Sequence, residues 1–367
     1  MKIYMFGQRN ILGGGVHYSG FLDAMAQLSG LSEVVVEVKS SGKKISPIVH
    51  QITENDVSIF FYPTISEHFV SGFVIKWAIF ESDVLPDDYL EYLSRSDLIW
   101  TPSNWAKKVL ISCGLEKNKI HIVNEGVDPS AFHPFLSSCS SDDKPFRFLM
   151  CGKKENRKGF SELLQGFKLA FGDDPNTELH LKADYFWGDK KTEALKKNDL
   201  ISEINELGLR NVKPIYQAIP TTEMGGFYRS YHALVFPSRA EGWGLPLIEA
   251  IACGLPVIST FYSGHSEFLA DIEAKFTKLD HDIRPIDCKE FLQHWRSGGN
   301  WAKAEPEEIA NKLKFVRENF AACKADALYS SSIMRNRYTW RHAAEQGIAS
   351  LATAGLGIWK TCYENDF

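Results

Sequence analysis

A chain of 367 residues, 44% hydrophobic and 24% charged, has room for two domains that each bury a core, and it carries the balance of an ordinary globular protein. Its formal net charge of −5 excludes a broad basic field for nucleic acid or anionic lipid, though not a local patch. Seven scattered cysteines without a C-x-x-C pair exclude a disulfide framework and point to a reducing compartment. No apolar run reaches bilayer length, and Met1 to Phe6 enters a strand pattern without a signal-peptide layout. The expectation is a cytoplasmic protein, with peripheral attachment at the inner face of a membrane left open.

Ile3 to Phe6 reads as a first strand, followed by a loop through Gly13-Gly14-Gly15 and a helix from Val16 to about Leu28. Glycines at a helix start let a ligand approach the backbone. The pattern is not G-x-G-x-x-G, so a nicotinamide oxidoreductase gains little support. Val34 to Val38 and Val57 to Tyr62 are further strands, with a polar connection at Ser40 to Ser46. Val74 to Phe80 is the next apolar run. It delivers Glu81-Ser82-Asp83 to the carboxyl end of a strand, where open α/β sheets place ligands. The other reading of Glu81 is a cap for a helix at Pro86 to Leu93. Leu98 to Trp105 holds a strand and an N-cap at Ser103 for a helix to Cys113; Ile120 to Val123 is one more strand, and Asn124 to Asp128 turns out of the sheet. The histidines have no metal-ligand spacing, and His17 alone, on the helix after the glycines, is placed to touch a substrate.

Pro129 to Pro145 is rich in proline, serine and aspartate and marks a domain boundary, giving domains over 1–135 and 136–335 and a terminal helix over 336–367. Phe146 to Met150 restarts the strands. It leads into Lys153, Lys154, Arg157 and Lys158, cations that could stabilise charge growing on a leaving group, with Arg157 read as solvent-facing. An amphipathic helix follows at Phe160 to Phe171. Strands at Glu178 to Ala183, Val212 to Gln217 and Ala233 to Phe236 alternate with helices near Thr192 to Leu207 and Thr221 to Tyr231. That alternation implies two parallel sheets.

The most informative stretch is Val235 to Thr260. A buried strand breaks at Pro237-Ser238, a loop runs from Arg239 to Gly244, Pro246 sits in a helical first turn, and Gly254 ends that helix before another strand. The helix start attracts phosphate, Gly242 and Gly244 let it come close, and Glu249, one turn in, can accept two ribose hydroxyls. Glu241 stands on the loop, facing whatever the phosphate carries. Asp280-His281-Asp282 reads as a polar loop, Trp295 to Trp301 as a turn with aromatic anchors, and Glu305 to Ala322 as one long amphipathic helix. The last helix opens at Tyr338-Thr339-Trp340-Arg341.

Glu241 to Glu249 resembles the E-x7-E motif of retaining GT-B glycosyltransferases of the family-4 type, the glycosyl transferases group 1. Lys158-Gly159 matches that family's K-G pair, Gly264 to Glu267 its G-x-x-E turn, and Gly13-Gly14-Gly15 its N-terminal glycine loop. Lys153 stands where an arginine is more usual. The resemblance implies two Rossmann-like parallel-sheet domains facing an interdomain cleft, with the last helix crossing back to the first domain. It implies sugar transfer from a nucleotide-diphosphate donor to an acceptor hydroxyl, with no metal and no cofactor. Glu241, Lys158, Lys153 and Glu81 are then the catalytic candidates. Gly14, Gly15, Lys153, Lys158, Ile219, Glu241, Gly242, Gly244, Leu245 and Glu249 would bind the donor, and His17, Glu81 and Ser82 the acceptor. Glu81 replaces a more usual histidine. A non-catalytic nucleotide-sugar-binding subunit, or a sugar phosphorylase or epimerase on the same fold, remains open.

Overall fold

The computed structural model describes residues 1–10, 13–28, 31–39, 44–134, 145–184 and 190–356. The expected linker residues 135–144 and part of the polar connection, 40–43, lie outside the described residues. The chain divides into two compact units. Unit 1 comprises Met1–Asp128, Trp295–Ser297 and the chain from Arg337 on; unit 2 comprises Pro129–His294 and Gly298–Asn336.

Unit 1 opens with strand β1 (Ile3–Gly7), helix α1 (Gly13–Gln27) and strands β2 (Val35–Lys39), β3 (Val57–Phe60) and β4 (Phe73–Trp77). Then come α2 (Asp87–Ser94), β5 (Leu98–Thr101), α3 (Asn104–Ser112) and β6 (Ile120–Ile122). The six strands form one sheet in the order β2-β1-β3-β4-β5-β6, parallel throughout. β1 and β3 are buried along their whole length, as strands covered on both faces must be. The triple glycine is not a loop: it is the first turn of α1, where backbone N–H groups have no helical partner whatever the side chain. β4 is shorter than its apolar run, so Ala78 to Phe80 are irregular. Ser103 caps α3, its hydroxyl accepting from the Ala106 N–H at 3.1 Å.

Unit 2 begins with β7 (Phe146–Lys153), α4 (Phe160–Phe171), β8 (Thr177–Asp184), α5 (Lys190–Glu206), β9 (Val212–Ile215), α6 (Thr221–Arg229) and β10 (Ala233–Phe236). It continues through α7 (Leu245–Ala252), β11 (Val257–Thr260), α8 (Ser266–Leu269), β12 (Thr277–Leu279), β13 (Asp282–Pro285), α9 (Lys289–Trp295) and β14 (Asn300–Lys303). Helices α10 (Pro306–Glu318) and α11 (Phe320–Arg337) follow. Its sheet runs β12-β11-β10-β7-β8-β9, again all parallel, so the strand order reverses between β7 and β10. Phe148, Phe160, Leu163, Phe167 and Leu181 are centred in one core with Ile309 and Leu313 of α10.

Two expectations for this unit are corrected. The helix expected from Glu305 to Ala322 is two helices broken at Asn319, where φ is −112°. The Trp295 to Trp301 segment is not only a turn: Trp295 ends α9 and Trp301 lies in β14, which pairs antiparallel with β13. The edge strand β12 and this hairpin went unread in the sequence because β13 is exposed throughout and leaves no buried apolar run.

The final helix, α12 (Trp340–Thr353), packs on α1 in unit 1. Two glycines permit the close approach: a Cβ on Gly20 would stand 2.3 Å from the Trp340 ring, and one on Gly347 would stand 3.0 Å from Phe21. The Trp100 indole N–H donates to Ser350 Oγ at 2.8 Å, and Gln346 exchanges two 2.8 Å hydrogen bonds with Asn124.

Candidate active site in the second unit

Ligands of open α/β sheets bind outside the carboxyl ends of the strands where the order reverses, because the flanking loops splay apart there. In unit 2 that point lies between β7 and β10. β7 ends at Lys153 and the loop after it carries Lys154 to Gly159, while the loop after β10 carries Pro237 to Gly244. Asn156 to Lys158 forms a single 3-10 turn closed by Gly159, whose φ of +73° and 2.5 Å virtual Cβ contact with the Pro237 carbonyl admit only glycine. The turn brings two adjacent cations onto the second loop. Lys158 Nζ donates to Glu241 Oε1 at 2.6 Å, and Arg157 Nη1 lies 3.1 Å from Glu241 Oε2 while donating to the Ala240 carbonyl at 2.6 Å. Arg157 is therefore buried, not solvent-facing as its place in a charged run suggested.

Glu241 accepts a third contact from the Ser238 hydroxyl, and the residue is 5% exposed. Burial pushes its carboxyl up, but Lys158, Arg157 and the two side-chain hydrogen bonds outweigh that and hold it at about 2. A carboxylate so placed cannot act as a proton donor near neutrality. Its evident work is to fix the two cations. Its own backbone is fixed in turn: the Glu241 N–H donates to Ser263 Oγ at 2.8 Å, and its carbonyl accepts from the Gly264 N–H at 2.9 Å. Ser263 holds a φ of +62°, unusual for a side-chain-bearing residue, and a Cβ on Gly264 would stand 1.9 Å from the Gly242 carbonyl. The hairpin buttresses the same loop, since the Ala302 N–H donates to the Arg239 carbonyl at 3.0 Å and Trp301 packs on Ala240.

Helix α7 starts beside this cluster. Gly244 precedes it with a φ of +101°, and a Cβ there would stand 3.2 Å from that of His265. His265 donates from Nε2 to the Thr260 carbonyl at 3.0 Å; its Nδ1 is buried without a hydrogen-bond partner among the described residues. Burial lowers its pKa to about 4 against the pull of Glu241. Pro246 sits in the first turn, where no N–H is needed. Glu249, one turn on, is 9% exposed, and its Oε2 accepts from the Tyr228 hydroxyl at 2.9 Å. Burial raises its pKa to about 8, with Tyr228 opposing the rise.

The expected residues thus separate by unit. Lys153 at the end of β7, Lys158, Glu241, Gly242 and Gly244 on the loops, and Leu245 and Glu249 on α7 flank the β7–β10 reversal, and Ile219 lies just before α6. In unit 1, Gly14 is exposed in the first turn of α1, whereas Gly15 is buried against Asn10. Glu81 and the buried Ser82 follow β4; the Ser82 hydroxyl accepts from the Val84 N–H at 3.2 Å. α2 begins after Pro86, which supplies no side-chain cap of its own. His17 is corrected to a core position: it is 2% exposed, its ring 4.2 Å from that of Trp77 and 5.0 Å from that of Phe61, leaving no face for a substrate. Sequence reasoning missed Arg157 and Tyr228; for Arg157 the signal available was its adjacency to the lysine of the K-G pair.

Residues 137–283 match the family model described as glycosyl transferases group 1. The chain is 28% identical over 158 residues to the mannosylfructose-phosphate synthase of Agrobacterium fabrum, covering 41% of this chain and 34% of that one. It is 26% identical over 209 residues to the D-inositol 3-phosphate glycosyltransferase of Streptosporangium roseum, covering 56% of this chain and 47% of that one. The chain therefore spans less than half the length of these two relatives. Among solved structures, Anabaena HepE in complex with UDP-glucose is similar with a TM-score of 0.71 at 14% identity, covering 96% of this chain and all of that one. At that identity the likeness shows the fold, and the fold is GT-B, two Rossmann-like parallel-sheet domains. The matched segment contains both loops of the charged cluster and all of α7. Among the described residues, no group of three His, Cys, Asp or Glu is placed to hold a metal, and no helix is long and apolar enough to cross a membrane.

Proposed function

We propose that this chain is a retaining glycosyltransferase that moves a sugar from a nucleotide-diphosphate donor to an acceptor hydroxyl. The observation that carries the reading is the buried Lys158–Glu241–Arg157 cluster where the sheet of unit 2 reverses its strand order, beside the start of α7. Fixed cations beside the start of a helix suit a diphosphate, and most of all one whose charge grows as it leaves. The complex of a fold neighbour with UDP-glucose supports the same ligand class.

In this reading the diphosphate lies against Lys153, Lys158 and the amides around Gly244 and Leu245, and the ribose hydroxyls donate to Glu249. Glu241 holds the cations in register, and its loop, with Gly242, borders the sugar. The bond from the anomeric carbon to the diphosphate oxygen breaks, the departing phosphate keeping the electron pair. The acceptor oxygen bonds to that carbon from the same face, and its proton passes to the departing phosphate. The positive charge comes from side chains and the helix, without a metal or cofactor. Acceptor contacts are assigned to unit 1, at Glu81 and Ser82.

The test is turnover of the full chain with a panel of nucleotide-diphosphate sugars and hydroxyl acceptors, followed by the anomeric configuration of the product. Release of nucleoside diphosphate with a retained product supports the reading. Donor bound but never turned over would leave a binding subunit in its place, and an inverted product would remove the front-face scheme.

A further inference from the structure

Glu249 has its two oxygens in different situations. Oε2 is engaged by the Tyr228 hydroxyl at 2.9 Å, whereas Oε1 has no hydrogen-bond partner among the described residues. Tyr228 is fully buried on α6, and its oxygen also lies 3.8 Å from Cys151 Sγ on β7, the strand that delivers Lys153. The phenol has one proton. The shorter contact takes it, so the hydroxyl donates to the carboxylate and can accept from the thiol. A side chain bonded to two elements of the sheet layer thereby fixes the carboxylate on a third.

We propose that Tyr228 is a positioning residue of the donor site, holding Glu249 by Oε2 so that Oε1 is presented to the ribose, and that it couples nucleotide binding to the charge on Glu249. The inference rests on the donor-site reading above. Its electrostatic half follows from the surroundings. Glu249 is faced by Tyr228 from α6, by Cys151 from β7 through that hydroxyl, and by Cys253 just past the end of its own helix, with Arg229 of α6 acting on Cys253. Among these groups the Tyr228 hydroxyl is what favours the charged form of a carboxyl that burial drives to about 8. Ribose hydroxyls donate to the carboxylate, so affinity rises with pH until Glu249 is ionised in the free protein. Removing the phenolic hydroxyl should move that rise to higher pH.

The experiment is calorimetric titration of the full chain with UDP, GDP and ADP from about pH 6 to about pH 9.5, in the wild type, Tyr228→Phe and Glu249→Gln. The wild type should bind at least one nucleotide with an affinity that climbs across this range. Glu249→Gln should bind more weakly with no such climb. Tyr228→Phe should weaken binding by about tenfold near neutrality and shift the climb upward. A Tyr228→Phe protein whose affinity falls equally at every pH, or not at all, while Glu249→Gln behaves as expected, overturns the tyrosine's role and leaves the donor site standing. A Glu249→Gln protein indistinguishable from wild type, or a wild type that binds none of the three, overturns the donor-site reading and this inference with it.

Discussion

The two sheets have the same number of strands and the same parallel sense, yet the positions behind their first strands are furnished in opposite ways. In unit 1, the helix after β1 turns a histidine inward among rings: His17 sits with Phe61, Trp77 and Trp340, and burial drives its pKa down to about 3. In unit 2, the turn after β7 presents Arg157 and Lys158 to a carboxylate held at about 2. One architecture therefore carries an uncharged aromatic core in one copy and a buried ion cluster in the other. What differs is the sequence that follows the first strand, and function has to be argued from such segments and not from the fold. The same lesson holds within unit 2, where Glu241 is crowded by cations and Glu249 is met by a phenol.

The sharpest way to break the contrast is to remove the lysine. Lys158→Ala should reduce kcat about 10²–10³-fold, the usual cost of losing a fixed donor to a developing anion. It also leaves Glu241 buried with one cation fewer, so a melting curve must accompany the kinetics. Next in size is Gly264→Ala, whose new methyl would meet the Gly242 carbonyl. A loss of about 1–3 kcal/mol in denaturant unfolding is expected, with impaired nucleotide binding because the Glu241 loop must shift.

The two glutamates should also separate by pH. Glu249 binds its proton more tightly folded than unfolded, since burial raises it from 4.5 to about 8. Its contribution to stability is complete below the lower value and is lost as pH rises through the upper one. Glu249→Gln should flatten that slope, at most about 1.4 kcal/mol per pH unit. Glu241 runs the other way: its contribution is present above 4.5 and lost as pH falls through about 2. The smallest effect belongs to unit 1. His17→Phe should leave turnover unchanged and lessen acid destabilisation between 6.5 and about 3, because a histidine buried neutral must take up a proton when it unfolds. A large loss of turnover in that variant would return His17 to the substrate.

Much of this was legible from residue order alone. Phe160 to Phe171 and Ala233 to Phe236 form their elements at the expected bounds, because long apolar periodicity and flanking glycine or proline leave few alternatives. The start of α7 was also visible, in Gly244 and Pro246. Partners distant in sequence were not. Arg157 looks like a surface cation until the Ala240 carbonyl, 83 positions on, reaches it, and the Tyr228–Glu249 pair spans an intervening strand and loop. His17 lies on the expected helix, but the rings that close over it come from β4, the end of β3 and α12. The break at Asn319 escapes notice because the residues on both sides favour helix.

The most direct measurement is a structure of the full chain with a nucleoside diphosphate bound. The account predicts phosphate oxygens within hydrogen-bond distance of Lys158 Nζ and the Leu245 N–H at the start of α7, and ribose hydroxyls on Glu249 Oε1. A diphosphate seated away from Lys158, or a ribose that leaves Glu249 untouched, would contradict it.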